Sequence, residues 1–144
     1  MTPTPRQPLS IRFVAGYTIE AGTYFRVHNI ARGLRGRGHY VAIHAVDPDA
    51  QSVLRTETRD GVPYHITPES RGLQYFGSAS HPLTALRRAL AGIPRCDVLH
   101  AFQPFLEVAA PWYRARGACL RAFDWDDLWW EGAITTPPRG VADW

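Results

Sequence analysis

Residues 96–101, CDVLHA, form a short, nearly continuous apolar run of the kind that becomes a buried strand. What flanks it decides the fold. Residues 82–93 precede it with Leu83, Leu86, Leu90 and Ile93 at helical spacing. Residues 105–116 follow as a second helix, in which Pro111 implies a kink or break. Residues 118–123, ACLRAF, are another strand. Moving outward, residues 11–15 are a strand ending at Gly16. Thr23 is placed to cap a helix with Val27, Ile30, Ala31 and Leu34 on one face, stopped by Gly36 and Gly38. Residues 40–45 give a further strand, broken at Asp47-Pro48. Residues 56–67 hold two extended pieces around Asp60-Gly61, a hairpin turn, and residues 68–80 have no period and are assigned to a loop.

Strands that alternate with helices, each nearly all apolar, imply an α/β, Rossmann-like parallel sheet with helices on both faces. The strand after the first helix should lie beside the first strand, with the residue 96–101 strand on the other side. Ligands of such sheets collect beyond the carboxyl ends of the strands. Residues 16–25, 68–80, 100–105 and 124–134 are therefore the segments where a site is expected.

Composition narrows the function. The 144 residues suffice for one domain with a real core, and no internal repeat is present. All 16 basic residues are arginine, spread along the chain rather than clustered, and the net charge is only +3. That argues against a nucleic-acid partner. No apolar run approaches the roughly 20 residues a bilayer requires. Residues 1–10 are proline-rich without an apolar centre, so a disordered leader and a cytoplasmic location are expected. Cys96 and Cys119 each open a strand and are assigned as free, buried thiols.

Four motifs, in this order, carry a resemblance. Residues 31–41 fit A-x-x-L-x-x-x-G-H-x-V after the first strand and its glycine-containing loop. Residues 57–64, ETRDGVPY, resemble an acidic-to-D-G-V hairpin. Residues 97–101, DVLHA, are similar to D-V-V-H-A-H. Residues 126–132, DDLWWEG, are similar to H-D-L-W-P-E-G. Together they resemble the N-terminal domain of family-four, retaining GT-B glycosyltransferases, across residues 11–134.

The resemblance implies an acceptor-side domain, residues 11–144, of an enzyme that moves a sugar from a nucleotide-sugar donor to a glycan, lipid-linked or small-molecule acceptor. The donor-binding C-terminal half lies outside this chain, so the chain is expected to be inactive alone: a fragment, a split gene product or a minimal relative. No metal or cofactor is implied. The family's Gly-Gly pair is Ala21-Gly22 here, the second histidine of H-A-H is Phe102, and the histidine that touches the transferred sugar is Asp126. On the donor-phosphate side the resemblance points to Gly22, and Arg26 at the opening of the first helix could meet a phosphate there. The acceptor-side candidates are His100, Asp124, Asp126, Asp127, Trp129, Trp130 and Tyr75, with Phe76 and Glu20 beside them.

Each candidate also has a plainer reading. His100 could be a hydrogen-bonded histidine within the sheet, Arg26 a solvated helix residue, the three carboxylates a cap or a solvated loop, and the tryptophans cover for a neighbouring domain. An exposed apolar edge from about Leu128 is expected to favour self-association or local disorder, and peripheral membrane contact is compatible with a lipid-linked acceptor. Rival classes fit less well. FDWDD at 123–127 resembles a HAD phosphatase nucleophile motif, yet it lies near the chain end and no lysine exists to serve it. Asp124 and Asp126 also resemble the metal-binding D-x-D of GT-A transferases, whose usual nucleotide-binding opening is missing. A non-enzymatic glycan- or partner-binding domain is the remaining alternative.

Overall fold

The computed structural model describes residues 7–17, 22–47, 54–68, 82–103 and 105–124. They form β1 (Ser10–Tyr17), α1 (Gly22–Gly36), β2 (Tyr40–Asp47), β3 (Arg55–Arg59), β4 (Val62–Pro68), α2 (Pro82–Ala91), β5 (Cys96–Phe102), α3 (Leu106–Arg114) and β6 (Ala118–Asp124). The fold is α/β, with a six-stranded sheet in the order β3-β4-β2-β1-β5-β6. Every neighbouring pair is parallel except β3 with β4. The central β1 thus has β2 on one side and β5 on the other, as the sequence implied. No helix among the described residues is long and apolar enough to cross a membrane.

Alternation along the strands divides the core in two. Ile11, Phe13 and Ala15 of β1, Val41, Ile43 and Ala45 of β2, and Val62, Tyr64 and Ile66 of β4 pack with Phe102 against Val27 and Ala31 of α1. Val14, Leu99 and Ala101 point the other way and meet Val108 and Ala115 at α3. Fully burying side chains of this size stabilises by roughly 1.5–3 kcal/mol each. The sheet is covered on both faces at its centre and less so at its β6 edge, where, among the described residues, Leu120 is 59% exposed and Phe123 37%. The apolar run of β6 implied deeper burial. As the sheet's edge strand it is paired with β5 alone among the described residues.

Two turns are fixed by local chemistry. Asp60 and Gly61 both have positive φ, 46° and 75°, the two-residue turn that Asp-Gly favours between antiparallel strands. Helix α1 ends with Gly38 at φ 89°, where the Gly38 N–H donates to Arg35 O and the His39 N–H to Leu34 O, so the last carbonyls keep partners. Thr23 is not the cap expected of it, because the helix begins one residue earlier, at Gly22.

The hairpin is tied to α1 by a polar chain. His28 Nε2 lies 3.1 Å from the Asp60 carboxylate and Nδ1 2.7 Å from the Tyr64 hydroxyl. Carboxylate oxygens only accept, so Nε2 carries its proton toward Asp60. Arg59 covers the Tyr24 and Tyr64 rings at 5.8 and 5.2 Å, and burial holds the Tyr64 phenol well above its usual pKa. His28→Ala would leave the buried Tyr64 hydroxyl without this partner. The expected loss is about 1–3 kcal/mol, read by amide hydrogen exchange as faster opening of β3–β4 than of β5. Equal protection in both variants would show that the chain carries no stability.

The other layer departs from its sequence pattern. The sheet-facing residues of α2 are Thr84, Ala85 and Arg88, while Leu83, Leu86 and Leu90 face outward at 47%, 53% and 66% exposure. The reason lies in α3. Pro111 sits inside that helix without breaking it, but has no N–H for the Glu107 carbonyl one turn back. The buried Arg88 supplies the missing donor: Nη1 reaches Glu107 O at 2.7 Å, and Nη2 reaches His44 O at 2.7 Å. The polar face of α2 must therefore point inward. At the far end of α3, the Arg121 guanidinium from β6 donates to the carbonyls of Trp112, Tyr113 and Ala115, and so caps the helix.

Candidate functional site

The parallel sheet brings the ends of β1, β5 and β6 to one edge, and α1 begins at that same edge. Arg26, one turn into α1, reaches Asp124 at the end of β6 with Nη2 to Oδ2 at 2.6 Å, although 98 residues separate them. Both side chains are about one-third exposed, 35% and 29%, so the pair lies at the mouth of the edge rather than in the core. The Arg26 guanidinium also stands 5.8 Å from the Phe102 ring.

His100 lies directly below. Its ring stacks on Phe102 with centroids 4.2 Å apart and meets Phe13 edge-on at 5.6 Å. Partial burial lowers its pKa below the usual 6.5; Asp124 opposes that shift and Arg26 adds to it. The imidazole is therefore uncharged at neutral pH and can both donate and accept a hydrogen bond.

Gln103 completes the edge; it lies in the 100–105 segment where a site is expected, although it is not itself among the sequence candidates. It follows β5 directly with φ 72°, the left-handed region that non-glycine residues enter rarely. Its N–H donates to Asp124 O at 3.0 Å, and its side-chain amide donates to Thr23 Oγ1 at 2.5 Å. One strained residue thus joins β5, β6 and the first turn of α1. Strain of this kind tends to be kept at functional sites.

Of the sequence candidates, Arg26, His100 and Asp124 are brought together, and Gly22 opens α1, the helix that carries Arg26. Arg26 is held by Asp124 rather than standing open for a phosphate, so a ligand phosphate at α1 would compete with that carboxylate. Asp126, Asp127, Trp129, Trp130, Tyr75, Phe76 and Glu20 lie outside the described residues. Cys96 is buried in β5 and in no disulfide; Cys119 is in β6, and its side chain is outside those described. Among the described residues no group of three or more His, Cys, Asp or Glu side chains is set to hold a metal.

A guanidinium, a carboxylate, an uncharged imidazole and an amide on one aromatic-floored edge form a surface suited to a neutral, many-hydroxyl ligand, where each hydroxyl needs a donor or an acceptor. Among the described residues no side chain there is arranged as a nucleophile with its base. No protein-family model matches the chain, and no curated protein matches it.

Proposed function

We propose that the chain is the acceptor-side half of a retaining, GT-B-like glycosyltransferase, and that the edge formed by Gly22, Arg26, His100 and Asp124 orients the acceptor sugar. The observation that carries the proposal is the Arg26–Asp124 contact above His100, which joins the first helix to β6 at the edge where ligands of such folds collect. A nucleotide-sugar donor would be held mainly by a second half. Asp126, two residues past Asp124, would stand nearest the transferred sugar. Peripheral membrane contact, self-association and a cytoplasmic location belong to the same proposal.

The GT-A alternative is weaker, because Asp124 is already bonded to a guanidinium and would have to leave it to ligate a divalent cation. Plain glycan binding without catalysis uses the same edge and differs in needing no donor half.

The chain alone is expected to bind UDP or GDP no better than millimolar. It offers the phosphates a helix N-terminus worth about 1 kcal/mol and an arginine already engaged by Asp124. Calorimetry giving a micromolar dissociation constant would make this domain the donor site and overturn the assignment.

A further inference from the structure

On the opposite face of the sheet, beneath the C-terminal end of α2, lies a cavity of about 190 Å³ whose lining includes His44, Thr56, His65, Thr67, Arg88 and Ile93. We propose that it binds a small oxyanion, a phosphate or carboxylate group, seated by His44 and His65 under the charge of Arg12. The volume is far above the ~10–15 Å³ that one water needs.

The placement follows from the strand register. His44 of β2 pairs directly with His65 of β4, and their rings stack with centroids 4.7 Å apart. Arg12 of β1 is paired with Ala42, two residues before His44 and on the same face as it. Two buried nitrogens on this face, Arg12 Nε and His44 Nε2, have no hydrogen-bond partner among the described residues. Unsatisfied groups of this kind are uncommon in native proteins and call for an explanation.

Charge decides what fits. The Arg55 guanidinium is taken by Asp47 and Glu57, and Arg88 is bound to two carbonyls with Glu107 nearby. No ion pair holds Arg12 among the described residues, and its charge falls on both imidazoles. Like charge excludes a cation there. An oxyanion would accept from the imidazole N–H groups and neutralise Arg12. Thr56, whose hydroxyl is 3.3 Å from His65 Nδ1, gives the rim a further hydrogen-bonding group. The cavity lies across the sheet from the Arg26–Asp124 edge, so this inference stands apart from the transferase proposal.

The test is an NMR pH titration of the histidine ring protons in the full chain, in sodium chloride, sodium sulfate or sodium acetate at matched ionic strength. Sulfate represents the tetrahedral phosphate and acetate the carboxylate. One of the two is expected to raise the His65 pKa by about one unit relative to chloride, and the one that does names the oxyanion class. Arg12→Gln should abolish the anion-dependent shift, Arg12→Lys should keep most of it, and Arg116→Gln, at an exposed site before β6, should leave it whole. Superimposed curves in the three salts would overturn the proposal in the wild-type chain alone. So would an undiminished shift in Arg12→Gln.

Discussion

Arg88→Met is expected to remove about 3–5 kcal/mol of folding free energy, as does breaking a buried ionic cluster by deleting one partner. Arg88 is 3% exposed and bridges the Glu107 and His44 carbonyls, so methionine would fill much of its volume while leaving both oxygens without their donor. It would also strand the buried Glu107, whose charge favours the protonated guanidinium even as burial pushes the Arg88 pKa down to about 10. Against the ~5–15 kcal/mol that holds an ordinary domain folded, such a loss would leave little. Urea unfolding measures it. Because Pro111 is what deprives Glu107 of its helical donor, Pro111→Ala should cost less in the Arg88→Met background than in the wild-type chain. A loss under 1 kcal/mol for Arg88→Met, or strict additivity of the pair, would show that the arginine does not serve the proline.

Acid should destabilise the domain well before its carboxylates protonate. Burial, then the charges of His65, Arg88 and Arg12, hold His44 down at about 3, against 6.5 in the unfolded chain. Between those values the unfolded state binds the extra proton, so stability is complete above pH 6.5 and falls as the pH drops toward 3. At 1.36 kcal/mol per unit, the shift amounts to several kcal/mol. His65 and His100 are lowered too and add to the same slope. Unfolding free energies in chloride buffers from pH 7 to 4 should show this decline, and His44→Leu should flatten it. An unchanged slope in that variant would place the acid sensitivity elsewhere.

The sequence made the sheet legible because its central strands satisfy two constraints at once. Leu99 and Ala101 face α3, whereas Phe13 and Ile43 face α1, and a strand buried on both sides leaves a continuous apolar run. Asp60-Gly61 was equally plain, since few dipeptides accept two positive φ angles. From strand order alone, His100 and Asp124 could be placed at one edge.

What escaped was tertiary. Leucines at helical spacing imply an inward face, but the inward side of α2 is set by Arg88 and by the Glu107 carbonyl, 19 residues away, that Pro111 leaves open. Nothing local to Pro82–Ala91 encodes that demand. Gln103 escaped for a related reason: its left-handed backbone is imposed by partners in β6 and α1, not by its own preference. The bond from Arg26 to Asp124 was hidden too, because charge spacing along a chain does not identify partners 98 residues apart.

The central claim is that the edge above His100 holds an acceptor sugar. Amide and histidine chemical shifts of the labelled chain, titrated with a panel of mono- and oligosaccharides, test it most directly. Saccharide binding should perturb Thr23, Arg26, His100, Gln103 and Asp124 together, and His100→Ala should abolish that response while β2 and β4 remain unchanged. If no saccharide perturbs that edge, or if the perturbed residues cluster elsewhere and survive His100→Ala, the acceptor-site account is wrong.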